Sequence, residues 1–195
     1  ERMIAMDILL DAIFGSNEAP AKRALLDENL ACDIVAYMAD AMLQPFAVVQ
    51  AKGLEEGAAE RLRPALSRVL EELADGTLDH EVVAAALSHA EFVMREQNFG
   101  IADGVALACS CMAGWLYDDD AALDYLRYED AFADLRKKLD EGYFEQLIRE
   151  VFLENDHVAD VEVVPVDGLP DDDDAAAARL AQMERELNEE RIAAI

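Results

Sequence analysis

The chain has 195 residues, enough for one ordinary domain with a hydrophobic core or for one domain with an appendage. A hydrophobic content of 53% with 7% aromatic residues argues against global disorder. The net charge of -27 excludes nucleic acid as an expected partner, because such binding requires the neutralisation of phosphates. Basic peptides remain candidates, since an acidic surface raises their local concentration, although most of these charges are expected to serve solubility.

The cysteines indicate the cellular compartment, and the chain ends indicate whether the chain is part of a longer protein. Three cysteines, Cys32, Cys109 and Cys111, are odd in number and widely spaced, which argues against a disulfide framework and favours a reducing compartment. No run of about eighteen apolar residues and no secretory signature occurs, so we expect neither a membrane span nor secretion. Helical patterns already begin at Ile4 and still continue at Ile192, which predicts a chain cut from a longer protein.

The first elements are predicted to be two helices. Residues 2–14 carry an apolar stripe at helical spacing, and Gly15 is placed to end this helix. Ser16 can cap a short second helix with Pro20 in its first turns. The inward-facing residues of the second helix are predicted to be Leu25, Leu26 and Leu30.

Two strands are predicted next. Cys32–Met38 has a strand-like pattern, and Phe46–Lys52 is a stronger strand that Gly53 ends. The loop Asp40–Pro45 is short enough for the two strands to pair as antiparallel neighbours.

Helices fill the middle of the chain. Residues 58–74 predict one helix, with Pro64 marking its first turn and Asp75-Gly76 ending it. Asp79 is a candidate N-cap for a long helix that breaks at Asn98-Phe99-Gly100. The next helix places an apolar face at Ile101, Val105, Ala108, Met112 and Trp115. Further helical segments are predicted at Tyr125–Leu139 and Phe144–Phe152.

The last strand and the tail complete the prediction. Val158–Val166 has a strand pattern in which Pro165 indicates an edge or a strand end. After Gly168-Leu169-Pro170, an acidic linker leads into an amphipathic helix. Long helices on one face of a small, mainly antiparallel sheet predict an α+β fold with an acidic helical C-terminal extension. We place the domain at residues 1–168 and the extension at residues 169–195.

The histidines and cysteines do not form a recognisable catalytic or metal-binding motif. His89-Ala90-Glu91 lacks the second histidine that a zinc peptidase helix requires, and His80 and His157 stand alone in their segments. Cys109 and Cys111 point about 200° apart on a helix, so they cannot easily chelate one ion. We expect these cysteines to be small core residues.

The acidic clusters and the glycines match no calcium-binding or nucleotide-binding motif either. Asp118–Asp120 and Asp171–Asp174 lack the alternating ligands of a calcium loop, so the first is expected to cap or end a helix and the second to be solvated linker. Gly100, Gly104 and Gly114 form no nucleotide-binding pattern. We therefore predict no catalytic, cofactor-binding or metal-binding residue in this chain.

Several segments resemble one family, the insulinase/pitrilysin-type zinc metallopeptidases, and within it the presequence protease subfamily. Ile8–Ser16 resembles a family helix that ends in a Gly-Ser turn, and Leu43–Leu54 resembles a central strand with its turn. Glu91–Gly100 resembles "EFxxRExNxG" and Gly114–Asp118 resembles "WLYD". The remaining likeness lies in Tyr143–Arg149 and Asn155–His157. Ala19-Pro20-Ala21 and Ile101-Ala102-Asp103 depart from the family pattern.

The resemblance implies a position within a larger enzyme. Such enzymes have two halves, each with two similar α+β domains, joined by a helical hairpin, and the zinc-binding motif lies in the first domain. This chain resembles the second domain with the start of the hairpin, so zinc would belong to the parent protein and the fragment alone would be inactive. The implied partners are the catalytic domain and the C-terminal half of the same parent chain, and peptide substrates, with basic peptides favoured by the acidic surface.

The resemblance also implies a compartment and leaves other functions open. A bacterial cytoplasm or an organelle matrix is the implied location, and an exposed face could make the isolated fragment dimerise. The implied function is to supply chamber wall and packing for a catalytic domain that degrades short unfolded peptides. The alternative is a free-standing structural or adaptor module that docks through the amphipathic helix from Ala175 onward. A thiol or metal enzyme using Cys109 and Cys111 is the third interpretation.

Overall fold

The computed structural model describes residues 1–40, 42–55, 57–96, 100–166 and 172–186, and it divides the chain into two units, Glu1–Val158 and Ala159–Ile195. The fold is α+β, as predicted, with helices packed against a small antiparallel sheet. In chain order the α-helices and strands are α1 (Arg2–Phe14), α2 (Pro20–Asp27), β1 (Asp33–Ala39), β2 (Phe46–Lys52), α3 (Ala59–Glu72), α4 (His80–Glu96), α5 (Asp103–Trp115), α6 (Glu129–Lys138), α7 (Tyr143–Ile148) and α8 (Asp172–Glu186).

Helix α1 is the centre of the first unit. Eight of its residues are buried, and it packs against α2, α4, α7 and β1, so its apolar residues face the interior on nearly every side. The predicted helix and its end at Gly15 are confirmed. The predicted cap of the next helix is wrong: Ala19 is the N-cap and Pro20 is the first helical residue, while the carbonyl of Ser16 accepts the Ala19 N–H at 3.0 Å. Leu25 and Leu30 are buried as expected, and Leu26 is half-buried.

The two strands form an antiparallel pair. The register joins Ile34 to Ala51, Ala36 to Val49 and Tyr37 to Val48. Because side chains alternate along a strand, Ile34 and Ala36 face the helices with Val49 and Ala51 from the other strand. Gly53 follows β2 with φ of 62°, a conformation that glycine adopts without strain, which confirms its predicted role.

Local signals place α3 and α4 correctly, with one correction. Helix α3 begins at Ala59, so Pro64 lies inside the helix and does not mark its first turn. The helix continues through a π turn, Leu73–Thr77, where Gly76 leaves helical geometry with φ of 109°. The Asp79 carboxylate accepts the Glu81 N–H at 2.8 Å, which confirms the predicted cap of α4.

The later helices close the core of the first unit. Tyr125–Leu139 is not one continuous helix, since a short 3₁₀ turn at Asp124–Leu126 precedes α6. The predicted Phe144–Phe152 helix consists of α7 and a π turn, Arg149–Leu153. These helices contribute the fully buried residues Phe132, Leu135, Phe144, Leu147 and Ile148.

The second unit lacks the predicted strand. Residues 159–166 form neither helix nor strand, no described residue forms a strand ladder with them, and Val161 and Val163 are 84% and 89% exposed. A strand requires a partner for its backbone groups, so the prediction of a third strand in the sheet is wrong for the described residues. Helix α8 forms as predicted and leaves Leu180 and Met183 exposed.

Some sequence-based predictions are not tested. Gly168-Leu169-Pro170, Asp171 and the residues after Glu186 lie outside the described residues, as do Asn98 and Phe99. The assignment of residues 1–168 and 169–195 as domain and extension stays a prediction. Across the described part of the chain, no helix combines the length and apolar character that crossing a membrane requires.

Candidate functional site

The most unusual feature of the first unit is an exposed apolar face on α5. We call this the α5 surface and define it as Val105, Cys109, Met112, Trp115 and Leu116. All five residues are exposed, with Trp115 at 53% and Leu116 at 61%. Val105, Cys109, Met112 and Leu116 follow one another at steps of four, three and four residues, and Trp115 lies three residues after Met112, so they share one side of the helix and of its C-cap. The predicted apolar face therefore exists, but it points to solvent, and Ile101 lies before the helix begins.

The opposite side of α5 is made of small residues. Ala106 is the buried residue of this helix, and Gly114 faces the 3₁₀ turn Asp119–Ala121. A Cβ atom at Gly114 would lie 2.6 Å from the carbonyl oxygen of Ala121, so only glycine permits this approach. The small side packs inward and the large apolar residues remain exposed.

The α5 surface has an acidic border. Asp118 accepts the Asp120 N–H at 2.9 Å and caps the turn that follows α5, which confirms the predicted capping role of this cluster. Asp103 begins the helix, and α5 itself contains no lysine or arginine. A partner that covers this apolar face gains from carrying basic residues at the edges of the contact.

The sheet presents a second exposed apolar face. Its residues alternate with those that face the helices, and we call it the outer sheet surface: Val35, Tyr37, Phe46 and Val48. Tyr37 is 49% exposed and Phe46 is 53% exposed. The first unit therefore exposes apolar side chains on both α5 and the sheet.

The histidines do not gather around a metal. The His80 Nε2 lies 2.7 Å from the Glu145 Oε1, and this contact joins the start of α4 to α7. The other oxygen, Oε2, is buried and has no hydrogen-bond partner among the described residues. His89 is largely exposed, 3.8 Å from Asp11, and His157 is exposed after the last helix of the first unit. No group of three potential metal ligands occurs within the residues that the structure describes.

The cysteines depart from the expectation that they lie in the core. All three are free; Cys32 and Cys109 are exposed, and Cys111 is half-buried. Exposure follows from the orientation of α5, because Cys109 shares the outward face with Val105 and Met112. None of the three forms a disulfide.

An acidic pair lies beside a tyrosine at the end of β1. Burial and the nearby charge of Asp40 raise the pKa of Asp7 to about 6. Burial also raises the pKa of Tyr125, with added contributions from Asp40 and Asp7. These residues are far apart in sequence, so no sequence motif could have indicated the cluster. It makes the stability of the first unit depend on pH.

Comparisons with known proteins give two informative similarities. No protein-family model matches the chain. The chain is 28% identical over 170 residues to Protein HypA of Clostridium perfringens, which covers 87% of this chain and 17% of that protein. It is 26% identical over 171 residues to presequence protease 1, chloroplastic/mitochondrial, of Arabidopsis thaliana, which covers 85% of this chain and 16% of that protein. The chain thus spans about a sixth of the length of these curated relatives, and the second similarity supports a relationship with the insulinase-type peptidases.

Proposed function

We propose that this chain is a non-catalytic domain of a zinc-dependent metallopeptidase that degrades short unfolded peptides in a closed chamber. The similarity to a presequence protease over 85% of the chain carries the proposal. In this role the domain supplies chamber wall and packing for a catalytic domain. Zinc belongs to another domain of the parent protein, and the parent acts in a bacterial cytoplasm or an organelle matrix.

The exposed apolar faces support this role. A helix with large apolar residues outward and small residues inward is suited to pack against another domain. The α5 surface and the outer sheet surface supply two such faces, and we propose that the catalytic domain and the C-terminal half of the parent chain cover them. In the isolated fragment the same faces favour a dimer.

The first experiment uses the purified chain and a fluorogenic unfolded peptide. We expect no hydrolysis with or without a chelator, because the proposal places the zinc site in another domain. Hydrolysis that a chelator abolishes would contradict the proposal. A second arm uses the parent protein, in which Met112→Glu should lower peptidase activity by disrupting domain packing. Ala133→Glu, on an exposed position of α6, serves as the control and should leave activity unchanged.

A second candidate function rests on α8. This helix exposes Leu180 and Met183 beside Ala175 and Ala176, and Arg179 completes the same face. Such a face suits a free-standing adaptor that docks onto a partner through one amphipathic helix. Two variants separate the two functions. In a free-standing adaptor Leu180→Glu should abolish partner binding and Met112→Glu should not, whereas in a parent peptidase Met112→Glu should lower the activity.

A further inference from the structure

A shallow groove lies between the end of α1, the start of α2 and α4. Its volume is about 400 Å³, and its apolar lining consists mainly of small side chains. Ala12, Ala19 and Pro20 form one side, and Ala85 and Val82 of α4 form the other. Small residues on both sides leave room for an extended aliphatic chain, and they provide the apolar contact that such a chain requires.

One carboxylate in the groove is available for a cation. The polar lining residues are Asp11, Ser16, Glu18 and His89, and no lysine or arginine among the residues that the structure describes lines the groove. Glu18 already forms an ion pair with Arg23 at 3.0 Å. Asp11 Oδ2 lies 3.8 Å from the Nδ1 of His89, which is too long for a hydrogen bond, and its side chain is 50% exposed. The oxygens of Asp11 can therefore accept from a ligand.

The absence of a side chain at Gly15 leaves room for this carboxylate. A Cβ atom at residue 15 would lie 2.2 Å from Asp11 Oδ1 and 2.4 Å from the Asp11 carbonyl oxygen. The φ of Gly15 is -67°, so glycine is required here by space and not by a left-handed conformation. The chain thus turns out of α1 with no side chain between the Asp11 carboxylate and the groove.

We propose that this groove binds the side chain of an arginine or lysine in an extended peptide. The aliphatic stem lies between Ala12 and Ala85, and the cationic end donates hydrogen bonds to Asp11. Arginine is preferred over lysine, because its planar guanidinium can engage both oxygens of one carboxylate. The net charge of -27 attracts such peptides and repels anions. The inference rests on the proposed function, in which peptides pass along this domain.

Fluorescence polarisation of a labelled peptide tests the groove on the intact chain. The probe is a short glycine- and serine-rich peptide with one arginine, and the matched probe has glutamine in its place. We expect the arginine peptide to bind about tenfold more tightly, a difference of ~1.4 kcal/mol. Asp11→Asn should remove this preference, and Ala85→Leu should weaken binding by filling the groove while the charge is retained.

Asp103→Asn is the control, since it makes the same change of charge on α5, outside the groove lining. If Asp103→Asn and Asp11→Asn weaken the binding of the arginine peptide equally, the net charge alone attracts the peptide and the proposal is overturned. Equal binding of the two peptides to the unaltered chain would overturn it as well. Because the readout is binding and not hydrolysis, inactivity of the parent protein would contradict the proposed function while leaving this result intact.

Discussion

Gly114 on α5 lies against Ala121, with 2.6 Å between the position of a Cβ at residue 114 and the Ala121 carbonyl oxygen. The atom in the way belongs to the backbone and cannot rotate aside, so Gly114→Ala must displace the turn from α5. We expect the substitution to lower the free energy of unfolding by about 1–3 kcal/mol, the usual range for overpacking. Urea unfolding followed by circular dichroism measures this loss.

Gly104 in the same helix is the matched control. A Cβ there would meet no atom within 4 Å, so Gly104→Ala adds helix propensity without a clash. We expect the free energy of unfolding of this variant to increase by about 0.5–1 kcal/mol. A similar loss in both variants would show that the approach of Gly114 to Ala121 does not govern the packing of α5.

An ion pair between α4 and α6 is expected to stabilise the first unit at neutral pH. The Arg136 guanidinium contacts Glu91, and this hydrogen bond holds the pKa of Glu91 below its usual value. A lowered carboxyl pKa adds stability above the unfolded pKa, and that stability is lost as the pH falls through the folded pKa. Arg136→Gln should therefore lower the urea midpoint at pH 7, and this loss should shrink as the pH falls below the ordinary carboxyl pKa of 4.5.

Lys137→Gln gives the comparison for this pair. Lys137 lies next to Arg136 on α6 and carries the same charge, but the described hydrogen bond to Glu91 belongs to Arg136. We expect a much smaller change of the urea midpoint at pH 7. If both variants lose the same stability, the general charge balance of α6 and not this contact is responsible.

Short-range signals explain which elements could be predicted. The end of α1 at Gly15, the strand Phe46–Lys52 and the cap at Asp79 depend on residues a few positions apart, and all three were correct. The direction of the α5 face could not be predicted, because an apolar stripe at helical spacing is the same whether it faces a core or a partner. The prediction of a strand at Val158–Val166 was wrong for a related reason, since strand formation depends on a partner strand that the sequence pattern does not identify.

The polar clusters that the tertiary fold brings together could not be predicted from the sequence either. The spacing of the histidines and cysteines predicts no metal-binding motif, because such sites require particular ligands at particular separations, and this stays a prediction. The Asp7, Asp40 and Tyr125 cluster and the groove at Asp11 arise from residues brought together by the fold. Only the tertiary arrangement could show them, and both contain carboxylates that in the sequence are part of the general acidic excess.

Asp7 is expected to make the first unit less stable as the pH rises. Its pKa is about 6 in the folded chain against an ordinary value of 3.8, so the folded state favours the protonated carboxyl. Below about pH 4 the Asp7 carboxyl does not lower the free energy of unfolding. Between about pH 4 and pH 6 it lowers this free energy increasingly, and above about pH 6 by a constant amount. Asp7→Asn should raise the urea midpoint at pH 7 and leave it unchanged at pH 3.5. The Asp7 residue is exposed although its carboxyl is partly desolvated, so solvent screening keeps the gain small.

Asp119→Asn controls for the change of net charge, because Asp119 is exposed and belongs to the turn after α5. It should alter the urea midpoint by less than Asp7→Asn at pH 7. A gain from Asp7→Asn that is equal at pH 3.5 and pH 7 would contradict the raised pKa, since only ionisation distinguishes these conditions.

Thiol labelling tests whether the α5 surface is covered in the parent protein. In the isolated chain, diluted until it is monomeric, Cys32 and Cys109 are exposed, so a maleimide should modify both quickly and modify the half-buried Cys111 more slowly, as measured by mass spectrometry. In the parent protein, the proposed domain packing should protect Cys109 from the maleimide. It should also reduce acrylamide quenching of Trp115, the single tryptophan of this chain. Cys32 lies outside the α5 surface and provides an internal reference for reactivity. If Cys109 reacts as fast in the parent as in the isolated chain, the α5 surface is not a domain interface.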